Sequence, residues 1–218
     1  MLNLQRKSVD GKDLLMARRP HAPLSLDSIA REAVALADEA GTAGLTMRAL
    51  ARRLGVEAMS LYHHVADKRA LLEAAAERVW GEVGTDAGTL EPFDAVRRIA
   101  TDAHRSLLAH SWVLEVASSA GGRARLGVIE ALLTQLQRAG LSDEARYESY
   151  HLIDALVLGY TAQEASYRGG PDAALVEQLA DYPQVQQHAR AHAQPHPSTS
   201  GFAAGLDLVL AGLTPSPR

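Results

Sequence analysis

Apolar residues recur at helical spacing over most of the chain. Leu26, Ile29, Ala33, Leu36, Ala37 and Ala40 form one stripe, and Ser25 stands just ahead of it, where a hydroxyl satisfies a free N–H of the first turn. Gly41 and Gly44 predict the end of that helix. Thr46 predicts the next N-cap, opening a helix over 47–54 that Gly55 breaks. A short helix is predicted over 57–63 and a fourth over 67–80, with Leu71, Leu72, Ala75 and Val79 inward. Small residues and glycines over 81–92 read as a linker and domain boundary. Helical spacing then resumes over 93–110, 112–118, 123–139, 142–168, 172–180 and 202–213. Residues 182–200, rich in Pro, Gln and His, read as a mobile loop. No segment alternates convincingly as a strand, and no internal repeat is present.

Composition strengthens the helical reading. Of 218 residues 47% are hydrophobic, only 5% aromatic, and Ala and Leu dominate, which favours helix over strand. The predicted fold class is all-α. Cysteine is absent, which excludes disulfides, Cys-ligated zinc, iron–sulfur clusters and thiol nucleophiles. No apolar run approaches the roughly 18 residues of a membrane span. The patch Leu14-Leu15-Met16-Ala17 is too short for a secretory signal, so the expected location is the cytoplasm. The expected organisation is a basic, flexible tail over 1–24, a small domain over 25–81 and a larger one over 92–214.

The net charge of −4 argues at first against a nucleic-acid partner. Its distribution changes that. Residues 1–80 carry +2 and the rest −6, and the window Leu45–Arg69 carries +3 through Arg48, Arg52, Arg53, Lys68 and Arg69. Within this window the pattern is helix-turn-helix. Leu50, Ala51 and Leu54 pack the first helix, Gly55 permits the tight turn, and Val56 and Leu61 return the chain to the same core. Glu57, Ala58, Met59, Ser60, Tyr62 and His63 are then left for a major groove.

Beyond the turn, Leu61-Tyr62-His63-His64-Val65 followed by Asp67-Lys68-Arg69-Ala70-Leu71-Leu72 closely resembles the DNA-binding domain of TetR-family transcriptional repressors. The resemblance is specific over 26–80. It extends more loosely to the last helix, 202–213, which is similar to that of the tetracycline-repressor branch. It implies a three-helix DNA-binding domain and a larger helical domain for ligand binding and dimerisation. The expected nucleoid-associated regulator binds a double-stranded operator as a homodimer through helices 142–168 and 202–213, and a small-molecule inducer releases it.

The resemblance assigns Tyr62 and His64 to the phosphate backbone or the DNA surface, and Lys68 to a phosphate. A cation at a helix N-terminus gains nothing from the dipole, which also favours an anionic partner for Lys68. Arg48 matches a position that reads guanine or holds phosphate; the competing reading is an ion pair with Asp38 or Glu39. Ala58, Met59 and Ser60 stand where bases are read, with chemistry suited to a thymine methyl. Thr46 and His63 complete the expected DNA-binding set. Arg52 and Arg53 divide between phosphate and solvent, and Arg18 and Arg19 are candidates for a minor groove.

In the second domain, His104, Trp112, Tyr147, His151, Asp154 and Gln163 are polar or amphipathic groups on apolar helices, the candidates to orient a ligand. Small residues at Ala155, Gly159, Ala162, Ala204, Gly205, Ala211 and Gly212 allow close helix crossing, with Leu152, Leu156, Leu206 and Leu210 as knobs. Ala117-Ser118-Ser119-Ala120 lacks the His and Thr that serve a magnesium–tetracycline complex in the tetracycline repressors, which implies another inducer. The alternative is an all-α ligand-binding protein or enzyme that does not act on DNA. Against it, Glu148-x-x-His151 lacks the second such pair that a di-iron site needs, and His188 and His192 lack an acidic partner. No phosphate loop or nucleophile elbow is present, and no metal, cofactor or catalytic residue is expected.

Overall fold

Three of the four helices of the first domain start where a side chain closes their open N–H groups. Ser25 and Ser28 form a reciprocal capping box at the start of α1 (Leu26–Gly44). Thr46 Oγ1 accepts from the Ala49 N–H at 3.1 Å and opens α2 (Met47–Leu54). Asp67 accepts from the Ala70 N–H at 2.8 Å and opens α4 (Lys68–Gly81). Between them, α3 (Ala58–Leu61) is a single turn continued by hydrogen-bonded turns to Val65, shorter than the predicted 57–63. Gly55 adopts φ 68° and ψ 29°, the left-handed conformation required for the tight turn. Gly41, at φ 67° and ψ 176°, kinks α1 rather than ending it.

The computed structural model describes residues 24–116, 122–167, 179–192 and 200–213. After α4 come α5 (Pro92–Ala109), α6 (Val113–Val116), α7 (Arg123–Arg138), α8 (Asp143–Tyr167), a 3-10 turn (Leu179–Asp181), α9 (Pro183–His192) and α10 (Ser200–Ala211). No strand occurs among the described residues, and none of their helices is long and apolar enough to cross a membrane. The predicted loop over 182–200 is in part the helix α9. Pro183 at its first position needs no N–H partner and has its φ preset, so this proline starts a helix rather than interrupting one. The tail over 1–23, residues 117–121 and most of the predicted 172–180 helix lie outside the described residues.

The first domain packs α1 across α4 and α2 against α1 and α3. The second packs α5 between α7 and α8, with α10 laid on α5 and α8. Helix α4 touches α1 on one side and α5, α6 and α7 on the other, so it belongs to both domains. One continuous apolar core follows, from Ile29, Leu50, Leu61 and Leu71 through Ile99 and Leu107 to Ile153, Phe202 and Leu206.

Candidate nucleic-acid interface

Leu50, Ala51, Leu61 and Val65 are buried, and Leu54, Val56 and Ala58 pack against them. Their burial fixes which side of the helix-turn-helix faces outward. Met59 is 68% exposed and Tyr62 47%, unusual values for large apolar side chains on a well-anchored helix. Thr46, Arg48, His63 and His64 are also exposed, while Ala58, Ser60 and Lys68 are partly buried. Thr46 accepts the Ala49 N–H through its oxygen, which leaves its hydroxyl proton for an outside acceptor.

The ion pairs around this face separate Arg48 from its neighbour Arg53. Arg53 Nε lies 2.9 Å from Glu32 and its Nη1 2.6 Å from Glu39. These hydrogen bonds, Glu39 first, raise the Arg53 pKa, and the same bond lowers that of Glu39. Arg53 is therefore an internal partner rather than a solvated cation. Asp38 is occupied by Trp112 and His110. Both carboxylates that the ion-pair reading offered to Arg48 thus have other partners, and Arg48 makes no ion pair with a described residue. An exposed guanidinium on the same helix-turn-helix as an exposed methionine and tyrosine suits an anionic, partly apolar partner.

The second domain distributes its candidates differently from one shared pocket. His104 is fully buried, stacked on Phe202 with ring centroids 4.2 Å apart. Thr161 donates its hydroxyl proton to the Val157 carbonyl at 2.5 Å, so at the 2.9 Å contact with Thr161 Oγ1 it is His104 Nδ1–H that donates. His104 Nε2 faces Glu164 Oε2 at 3.3 Å. Trp112 is buried, but its indole N–H donates 2.8 Å to Asp38 of the first domain. Tyr147, His151 and Gln163 are exposed along α8, the first two in edge contact at 4.3 Å. Asp154 lies 3.5 Å from Arg125, and burial raises its pKa against the pull of that guanidinium.

Arg125, which sequence reasoning missed, also lies 5.5 Å over the Trp80 ring of α4, and so links α8 to α4. Glu77 of α4 accepts the Ala124 N–H at 2.7 Å, a second tie between α4 and α7. Neither residue stands out in sequence, because a charged side chain every few positions is ordinary on an amphipathic helix. Thr161 and Glu164 carried a fainter signal as polar residues on the apolar side of α8.

Residues 29–75 match the model "Bacterial regulatory proteins, tetR family", and residues 85–216 match "Tetracyclin repressor-like, C-terminal domain". The chain belongs to the TetR family. Its members are ligand-responsive DNA-binding transcriptional regulators, and this chain is one of them. It is 32% identical over 167 residues to the HTH-type transcriptional repressor DrrR1 of Streptomyces coeruleorubidus, a match covering 71% of this chain and 60% of that one. It is 30% identical over 200 residues to the class A tetracycline repressor protein from transposon 1721 in Escherichia coli, covering 87% and 90%. Among solved structures, a possible TetR-family transcriptional regulator from Streptomyces coelicolor A3(2) superposes with a TM-score of 0.74 at 27% identity, covering 86% and 98%. Two TetR-family models thus meet this chain at its helix-turn-helix and its larger helical domain.

Proposed function

We propose that this TetR-family chain acts in the bacterial cytoplasm as a repressor, binding a palindromic operator as a homodimer and leaving it when a small molecule occupies the second domain. The observation that carries the reading is the exposed set on the helix-turn-helix: Arg48 without a carboxylate partner among the described residues, together with exposed Met59, Tyr62, His63 and His64, and Lys68 at the start of α4. Arg48 and Lys68 supply charge for phosphate or guanine, Thr46 and Tyr62 supply hydroxyl donors, and Ala58, Met59 and Ser60 suit a thymine methyl. The −6 body discourages indiscriminate contact with DNA and leaves the basic end to dock.

A palindrome needs two such faces about 34–36 Å apart, which a two-fold dimer supplies. The supporting feature is an exposed strip on α8 and α10. Leu152 is 55% and Leu208 79% exposed, among the small residues Ala155, Gly159, Ala162, Ala204 and Ala211. Two of the expected knobs, Leu206 and Leu210, are instead buried within the protomer, and Leu208 takes the outward position. Operator and inducer oppose each other with one coupling energy, since linkage is reciprocal. His104, Trp112, Tyr147, His151, Asp154 and Gln163 do not converge, and the ligand role rests best on Tyr147, His151 and Asp154, which share a face of α8. The test is a mobility shift on duplex from the region upstream of the chain's own gene. A repressor shifts it with affinity that falls steeply as salt rises; no shift at low salt overturns the reading.

A further inference from the structure

Asp38 is out of place by the rules of an isolated helix. It lies three residues before the kink at Gly41, near the C-terminal end of α1, where the helix dipole disfavours a carboxylate. The buried residues of α1, from Ile29 to Ala37, anchor the helix without it. Its partners come from the other domain. His110 Nδ1, which must carry the proton since a carboxylate only accepts, lies 2.9 and 3.0 Å from its two oxygens. Trp112 Nε1–H donates to Oδ1 at 2.8 Å. Just past the kink, Thr42 Oγ1 donates to Glu115 of α6 at 2.6 Å. The other ring nitrogen of His110 lies 3.9 Å from Glu82, at the end of α4. Three side chains at the corner between α5 and α6, His110, Trp112 and Glu115, therefore grip the end of α1 that leads directly into α2.

We propose that Asp38 is a positioning residue: through His110 and Trp112, and beside the Thr42–Glu115 bond, the α5–α6 corner of the ligand domain sets the orientation of the helix-turn-helix along a route parallel to α4. Helix α4 ties the two domains through the chain. The Asp38 latch ties them through side chains, at the opposite end of α1 from the Asp27–Arg78 pair that fastens α1 to α4. It offers a small movement of α6 a short physical path to the start of α2. The indole of Trp112 is therefore a link between domains rather than a ligand contact. The inference rests on the proposed repressor function for its purpose, but the latch itself is testable without DNA or ligand.

The test is amide hydrogen exchange on the full chain as wild type, Asp38→Asn and Trp112→Phe. Asp38→Asn keeps side-chain size, and Trp112→Phe removes one donor while keeping a smaller aromatic ring, so it carries the test if the first fails to fold. The expected result is exchange at least about threefold faster across α2 and α3, to which neither side chain makes a hydrogen bond or ion pair, with α7 and α8 unchanged. Faster exchange confined to the segments around residues 38 and 112 overturns the proposal. Uniform acceleration through both domains does so as well, because it marks a purely structural bond. A mobility shift on the same upstream duplex is run alongside. Wild-type protein that binds no DNA, alongside variants that show the expected exchange pattern, refutes the repressor reading and leaves the latch standing.

Discussion

Arg48 and Arg53 lie five residues apart on the same short helix, α2, with the same charge and different surroundings. Arg53 is held by Glu32 and Glu39, whereas Arg48 projects with no carboxylate partner among the described residues. Arg48→Ala is expected to weaken specific operator binding by about 1–3 kcal/mol, and Lys68→Ala to reduce the salt dependence by about one unit of slope; duplex titrations at several salt concentrations check both. Asp154 makes a pH prediction. Burial raises its pKa above 3.8, so the folded state holds that proton more firmly than the unfolded chain does. Ionising it costs stability, a cost that grows as pH rises through the raised value and vanishes as pH falls below the ordinary one. Wild type should therefore gain stability relative to Asp154→Asn as pH is lowered toward the carboxylate range, read from urea midpoints across that range. Residue types alone do not separate these cases, because the partner that decides each one lies on another helix.

At the scale of elements, the boundaries follow from chemistry confined to a few neighbouring residues. Ser25, Thr46 and Asp67 each cap the helix that a stripe of apolar residues makes worth forming, and Gly55 supplies the one backbone conformation that the turn demands. Thr46→Ala should cost about 1 kcal/mol, the usual value for losing an N-cap bond. Gly55→Ala places a β-carbon in the left-handed region and should cost about 1–2 kcal/mol. Urea unfolding of the two variants measures both effects. Where composition stood in for local chemistry, the reading failed: Gln and His over 183–192 suggested a loop, yet Pro183 is suited to the first position of a helix. Gly41 shows the reverse limit, since a glycine that permits a helix to end also permits it to kink and continue.

For the whole molecule, the proposed homodimer raises the questions of how two copies would meet and how one domain would inform the other. The exposed strip on α8 and α10 predicts that Leu208→Glu yields a monomer by sedimentation and loses operator binding together with dimerisation, because a charge at the centre of a small-residue crossing cannot be desolvated cheaply. Communication between domains has two physical supports. One is α4, fixed to α7 by the Glu77–Ala124 bond and by Arg125 over Trp80. The other is the grip of His110 and Trp112 on Asp38.

Apart from α9, the described helices, the Ser25 and Thr46 caps, the helix-turn-helix and the positive end of an acidic chain are legible in the linear order of residues, because each depends on periodicity or on groups close in sequence. The family resemblance lay in one such stretch, from Leu61 to Leu72. The direction in which Leu206 and Leu208 point, the partners of Arg53 and the diversion of Trp112 to Asp38 are of another kind. Asp38 and Trp112 are 74 residues apart, and their contact exists only once α1, α5 and α6 are packed. A hydrogen bond needs its partners within about 3 Å, and at that separation in sequence only folding brings them there.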